Sequence, residues 1–198
     1  KKENCILIGI GSYGHGMGVT HLSIALATYL SCRHGYRIAC LEYNSSTAFN
    51  ELSQQCRLPF SKNGDNLKSF SIKQVDYYPN VSKQDISTHM NEGYHYLIFD
   101  FGVLSDDTLD DFYRCNHKII IGCLAPWKQT RFYEFLKHKN NKAIKERCRY
   151  LIINGEKSDI LDLSEIAHVP RQHIQCIPFL KNPFHIKKEF FPFLEGLL

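Results

Sequence analysis

A glycine-rich segment between an apolar run and a helical stretch is the feature that most constrains the fold of this chain. The run Cys5–Ile10 (CILIGI) is continuously apolar, and residues 11–21, GSYGHGMGVTH, follow it directly. Over Val19–Cys32, apolar side chains recur at helical spacing, which predicts a helix. Glycines at positions 11, 14, 16 and 18 permit the backbone angles and the close N–H approach that an anion requires. We therefore expect a phosphate-binding loop at the start of this helix; the alternative is a strand–helix turn that binds nothing.

Apolar runs and helical stretches alternate along the rest of the chain. The other predicted strands are Arg37–Leu41, Tyr96–Phe101, Lys118–Cys123, Arg149–Ile153 and Ile174–Ile177, with a weaker candidate at Leu67–Ile72. The other predicted helices are Ser82–Asn91, Asp106–Tyr113 and Lys128–Lys139. Because the strands are continuously apolar, we predict a doubly wound α/β fold, a mostly parallel sheet flanked by helices, in a single domain over residues 1–198. Residues 58–66 are expected to form a loop within it.

Composition narrows the class of protein. The chain has 198 residues, of which 43% are hydrophobic and 22% charged, with a net charge of +4. No apolar run approaches the roughly 20 residues that span a bilayer. The eight cysteines form no C-x-x-C pair and several lie in apolar runs, which indicates free thiols in a reducing cytosol. The ten histidines show no zinc-binding spacing with cysteine, so we expect no structural zinc.

The glycine-rich loop resembles the deviant Walker A motif of the ParA/MinD (SIMIBI-class) P-loop ATPases, GKGGxGK[ST][ST]. In that alignment Gly14 stands at the signature lysine, Val19 at the Walker lysine and Thr20 at the magnesium-binding hydroxyl. Tyr13 replaces the first glycine and His21 the last hydroxyl. The closest resemblance is to atypical members, such as the TadZ-like proteins of pilus-assembly systems.

The resemblance extends along nearly the whole chain. Asp100 in YLIFDF is similar to the Walker B aspartate, and Asn154 matches the base-reading asparagine of the family. The resemblance implies that ATP or ADP binds, with Mg²⁺ held by Thr20 and Asp100. The nucleotide-binding residues implied are Gly14, His15, Gly16, Met17, Gly18, Val19, Thr20, His21, Asn154 and Pro178.

The departures from the motif bear on hydrolysis. Neither Gly14 nor Val19 supplies the positive charge that offsets charge developing on the β- and γ-phosphates. Asn44 stands where the family orients its attacking water with Asp, and Glu42 falls on the preceding Asp position. These losses predict a non-hydrolysing binding or positioning module, a pseudo-ATPase with no catalytic residue. The resemblance suggests a bacterial assembly such as a pilus or secretion apparatus, with protein partners or a homodimer.

Two other functions remain open. One is a weak or partner-activated ATPase, in which a partner, His15 or His21 supplies the missing charge. The other is a partition-type protein that binds DNA non-specifically through the basic run 137–149. Residues 186–198 are expected to pack on their own domain or at a dimer interface, with membrane contact as the lesser alternative. Trp127 is expected to be a core or interface anchor. We expect a cytoplasmic location, with a peripheral one at the inner face of the membrane as the alternative.

Overall fold

A nine-stranded sheet forms the centre of the computed structural model, which describes residues 5–57, 61–63, 67–137 and 147–198. The strand order is β3-β4-β5-β2-β6-β1-β7-β8-β9. The seven strands from β5 to β9 are parallel neighbours, whereas β3 and β4 extend the β5 edge in antiparallel pairing. The strands are β1 Ile6–Ser12, β2 Ile38–Glu42, β3 Ser61–Asn63, β4 Leu67–Ile72, β5 Val75–Tyr78, β6 Tyr96–Val103, β7 His117–Gly122, β8 Cys148–Ile152 and β9 Ile174–Cys176.

Helices lie on both faces of this sheet, which confirms the predicted doubly wound α/β fold. Two short 3₁₀ turns, Arg171–His173 and Lys188–Phe190, precede β9 and the last helix. The helices are α1 Val19–His34, α2 Ala48–Gln55, α3 Ile86–Asn91, α4 Asp106–Arg114, α5 Pro126–Lys137, α6 Lys157–Ala167 and α7 Phe191–Glu195.

The central position of β1 fixes where a ligand can bind. Its neighbours β6 and β7 are both parallel to it, and the chain leaves β1 towards β2 but leaves β6 towards β7. The strand order therefore reverses beside β1, and in sheets of this kind the crevice at such a reversal, at the carboxyl ends of the strands, is the usual ligand site. Ile8 and Ile10 of β1 are fully buried, as expected of a strand that is covered on both faces.

Helix α1 is enclosed on every side, and the C-terminal segment completes its cover. Its residues from Leu22 to Ser31 are all buried. Leu194 and Leu197 pack in the same core cluster, and the Tyr29 hydroxyl donates a hydrogen bond to Glu195 at 2.6 Å. The expectation that residues 186–198 pack on their own domain is met at these contacts. Within the described residues, no helix is both long and apolar enough to cross a bilayer.

Five strands and helices were missing from the sequence prediction. Strands β3 and β5 and helices α2, α6 and α7 were not predicted, although the weak candidate β4 is present. The β4–β5 hairpin turns at Lys73 and Gln74, which both adopt positive φ (49° and 64°) without a glycine, so the usual hairpin signal is absent. Residues 61–63 form a strand where a loop was expected, while 58–60 and 64–66 lie outside the described residues.

Candidate functional site

The glycine-rich loop turns between β1 and α1 through two residues in the left-handed region. Gly16 has φ 71° and Gly18 has φ 75°, a conformation that side-chain-bearing residues rarely adopt. Gly18 is the N-cap of α1, and no side chain caps the first turn of the helix. The free amides of that turn and the positive end of the helix dipole therefore point out of the loop, which favours an anion.

A cavity of about 610 Å³ opens beside this loop at the carboxyl edge of the sheet. One side of the cavity is the loop from Gly14 to Thr20, and the other is formed by the ends of β2 and β6. Polar side chains from those ends, including Asn44, Ser46 and Ser105, line it. The cavity exceeds the size that a phosphate chain needs and falls in the range of small-molecule sites.

No lysine or arginine lines this cavity among the described residues. Val19, at the position of the Walker lysine, is 6% exposed and packs in the hydrophobic core with Met17 and Leu22. Gly14 at the signature position has no side chain. His15 is the one lining residue of the described set that could carry a positive charge, and it is exposed to solvent. The site therefore offers backbone dipoles and hydroxyls to an anion, but no fixed side-chain cation.

Asp100 is buried beneath the loop and is held by three donors. The Thr20 hydroxyl donates to Asp100 Oδ2 at 2.5 Å, and the Gly102 amide and the Asn44 side-chain amide donate to Oδ1 at 3.0 and 3.1 Å. Burial raises the pKa of Asp100 to about 6; the hydrogen bonds from Thr20 and Gly102 lower it, and the charge of Glu42 raises it. The carboxylate is consequently ionised in the main at neutral pH.

The residues present fit a magnesium ion in their chemistry. Mg²⁺ takes oxygen ligands, commonly one or two carboxylates together with substrate phosphates and water. Thr20 Oγ1 and Asp100 Oδ2 supply a hydroxyl and a carboxylate oxygen within 2.5 Å of each other at the base of the cavity.

Glu42 and Asn44 stand at the two aspartate positions of the family, and both form hydrogen bonds with neighbouring residues. Glu42 is fully buried and accepts hydrogen bonds from the Ser46 hydroxyl and the amides of Phe49 and Asn80. Asn44 donates to Asp100 and accepts from the Ser46 amide at 2.7 Å. Glu42 therefore fixes the segments that follow β2 and β5, and Asn44 buttresses Asp100.

Tyr13 anchors the loop to the neighbouring strand and helix. Its hydroxyl lies within hydrogen-bond distance of the Cys123 and Lys128 carbonyl oxygens, at 3.3 and 3.2 Å, and its ring stacks on Phe132 with centroids 4.9 Å apart. The sequence showed Tyr13 only as a substitution for glycine. Its anchoring role depends on residues more than 100 positions away, which no local pattern reveals.

A second cavity, of about 330 Å³, adjoins the first on the other side of the loop. Met17 and Gly18 line both cavities. The second is mostly apolar, and Asn154 and Pro178 line it at the ends of β8 and β9. His21 Nε2 lies 2.6 Å from the Leu180 carbonyl oxygen, so this side chain ties α1 to the segment after β9.

Comparison with known proteins relates this architecture to a group of solved structures. A ParA family ATPase of Chlorobium tepidum superposes with a TM-score of 0.62 at 14% identity, over 90% of this chain and 86% of the other. A protein assigned to plasmid partition in Borrelia burgdorferi, bound to AMPPNP, gives 0.65 at 15% identity over 98% and 96%. MinD of Aquifex aeolicus gives 0.58 at 12% identity over 97% and 87%. The chain has the fold of the ParA and MinD ATPases.

No family model and no curated protein sequence matches the chain. The similarity to these P-loop proteins is therefore seen in the backbone architecture and not in the sequence. The narrower TadZ-like assignment stays a prediction.

This ParA/MinD-type fold brings the predicted site residues to one edge of the sheet, in two groups. One group lines the larger cavity, and the other lines the apolar cavity. Their roles as ligand-binding residues stay predictions. The first group is Gly14, His15, Gly16, Met17, Gly18, Val19 and Thr20 with Asp100 below it, and the second is Met17, Gly18, His21, Asn154 and Pro178.

Trp127 and the basic run differ in how far the structure describes them. Trp127, at the start of α5, is 80% exposed, so the expectation of a core anchor is wrong and the interface alternative remains. Trp127 follows Pro126, just beyond the carboxyl end of β7. Of the basic run 137–149, residues 138–146 lie outside the described residues.

Proposed function

We propose that this chain is a P-loop nucleotide-binding protein of ParA/MinD type that binds ATP or ADP without hydrolysing ATP at an appreciable rate. The observation that carries the proposal is the cavity of glycine amides at the start of α1, with Val19 in the core where a lysine would stand. Its role is that of a binding or positioning module in a larger bacterial assembly, such as a pilus or secretion apparatus. The free cysteines favour a cytoplasmic location.

The phosphates, the metal ion and the base of a nucleotide each have a counterpart in this arrangement. The amides of the loop and of the first turn of α1 would bind the phosphates, and Thr20 and Asp100 would hold Mg²⁺. The metal would offset part of the phosphate charge. The base enters the apolar cavity, where Asn154 offers its amide and Pro178 an apolar contact.

Hydrolysis needs more charge compensation than these groups provide. The negative charge on the transferring phosphoryl group and the leaving β-phosphate must be balanced in the transition state, and fixed cations do this in P-loop enzymes. Loss of one such contact typically costs about two to three decades of rate. Asn44 carries an amide in place of the carboxylate that orients water in the family, and this amide is engaged with Asp100 and Ser46.

Calorimetric titration of ATP and ADP, with and without Mg²⁺, and an ATP turnover assay together test the proposal. We expect saturable binding that Mg²⁺ strengthens, and turnover at least about a hundredfold below that of lysine-bearing relatives. Thr20→Ala removes a magnesium ligand and should abolish most of the gain from Mg²⁺, whereas Thr20→Ser keeps the hydroxyl and should retain it. Turnover at the ordinary rate of the family, or no nucleotide binding at all, would contradict the proposal.

A partner-activated ATPase is the second candidate, and two exposed aromatic side chains favour it. Trp127 follows β7 and Phe179 follows β9, so both lie at the carboxyl edge of the sheet, and they are 80% and 85% exposed. Exposed aromatic residues are enriched at protein interfaces. A second copy docking there is the simplest partner to test. Turnover per chain that rises with protein concentration and is lost in Trp127→Ala would favour this candidate over the first.

A further inference from the structure

A third cavity lies at the opposite edge of the sheet from the nucleotide cavities. It has a volume of about 210 Å³ and is formed where three neighbouring parallel strands, β7, β8 and β9, begin. Five side chains that carry or can carry a positive charge line it: His117, Lys118, Arg147, Arg149 and His173. No aspartate or glutamate lines it among the described residues.

No aspartate or glutamate of the described residues neutralises the positive charges of this cavity. The Lys118 ammonium group donates to the Cys115 carbonyl oxygen at 2.5 Å, and Arg149 donates to the Gln172 carbonyl oxygen at 3.0 Å. Within the described part of the chain, no ion pair joins any of the five side chains to an acidic side chain. Clustered like charges raise the electrostatic free energy of a fold unless a counterion occupies the site.

Two observations on His117 and His173 likewise indicate that the described residues supply too little negative charge to this cavity. Burial, and after it the positive charges of Lys118 and Arg149, hold the pKa of His117 below its usual range. His173 Nδ1 is buried without a hydrogen-bond partner among the described residues. A buried polar atom without a partner costs about 1–3 kcal/mol, which is recovered when a ligand or water supplies the missing bond.

We propose that this cavity binds a phosphate group. Lysine and arginine side chains line the same cavity, and the planar fork of arginine matches the oxygens of a phosphate. The volume of 210 Å³ lies below the roughly 300 Å³ at which sites for drug-sized ligands begin. The cavity therefore has room for an ion-sized group. The site is separate from the glycine-rich loop, because it lies at the amino ends of the strands.

The ring signals of His117 and His173 in NMR spectra of the full chain report on this cavity, whereas those of His15 and His21 report on the loop. Inorganic phosphate and pyrophosphate are titrated, and a short DNA duplex provides the arm that distinguishes a phosphate on a polymer backbone from a free ion. We expect saturable shifts of the His117 and His173 signals, assigned with His117→Gln and His173→Gln. A bound anion also favours the charged imidazole, so the pKa of His117 should rise on saturation.

Charge-removing variants locate the binding. Arg149→Gln and Lys118→Gln should each weaken the phosphate affinity obtained from the titration by about tenfold or more. Lys157→Gln removes a charge from the exposed start of α6 and should change this affinity by less than about twofold. Thr20→Ala should leave it unchanged, which separates this site from the proposed nucleotide site. The same signals shifting only with duplex would identify a nucleic-acid backbone as the source of the phosphate group. Absence of saturable shifts with all three probes, or equal loss in Lys157→Gln, would overturn the proposal.

Discussion

The two edges of the sheet present opposite means of holding an anion. At the carboxyl edge, glycine amides and a helix start surround a cavity with a buried carboxylate, Asp100, beneath the loop and no lysine or arginine among the described lining residues. At the amino edge, five basic side chains surround a smaller cavity without a carboxylate side chain among those described. Dipoles fixed by the backbone bind charge without titrating, whereas side-chain cations bind it more strongly but repel one another when it is absent. We expect the two edges to respond differently to mutation and pH.

Placing a cation at the carboxyl edge should give the largest effect. Val19→Lys puts an ammonium group at the first helical position, from which a flexible stem can reach the loop cavity. A charge-assisted hydrogen bond to phosphate should then raise ATP affinity by about tenfold or more, measured by calorimetry.

Val19→Met is the matched control for this change, because it adds a long side chain without charge. Both variants lose part of the buried packing of Val19, so both should be less stable than the parent in denaturant unfolding. Equal ATP affinity in the Lys and Met variants would show that the cavity does not bind phosphates.

The anchoring of the loop should give an intermediate effect. Tyr13→Phe removes the hydroxyl that donates to the Cys123 or Lys128 carbonyl but keeps the ring on Phe132. We expect a loss of about 1 kcal/mol in the free energy of unfolding, measured by urea denaturation, and faster amide exchange in the loop. Tyr133→Phe is the control, since its hydroxyl forms no hydrogen bond with the described residues. Equal losses of stability in the two variants would refute the anchoring role of Tyr13.

A pH effect at the amino edge should be the smallest. The pKa of His117 is lower in the folded chain than its usual value near 6.5, so below that pH the unfolded chain binds more protons. Folding stability should therefore fall as the pH drops through about 6.5, and His117→Gln should flatten this slope.

Urea denaturation between pH 5 and 8 measures that slope, and saturating phosphate provides a second arm. Phosphate should reduce the slope in the parent chain and leave His117→Gln unaffected. A slope that is the same in the parent and the variant would locate the titration elsewhere.

Some elements of the fold could be predicted from the sequence and others could not. The central strands were predictable because burial on both faces produces continuous apolar runs, as in YLIFDF around Asp100. Strand β5 was missed because its polar Asp76 interrupts the run; the fold accommodates this carboxylate with the Tyr94 and Ser71 hydroxyls. Such compensation comes from separate segments and leaves no local pattern.

Within the candidate site too, local motifs could be predicted from the sequence, whereas tertiary contacts could not. The loop, Thr20 and Asp100 were found because they stand at fixed spacings in one motif and one strand. The engagement of Asn44 with Asp100, the tie between His21 and Leu180, and the basic cavity all arise from tertiary neighbours. Lys118 and Arg149 belong to strands that become adjacent only once the sheet has formed.

Met17 and Gly18 separate the two cavities at the carboxyl edge with a single stretch of backbone. Gly18 sits in the left-handed region and is also the N-cap of α1, so a rotation there re-aims the first amides of the helix while it reshapes the apolar cavity. An occupant of one cavity that rotates Gly18 would alter the free energy of filling the other, and by thermodynamic reciprocity the coupling has the same size in both directions.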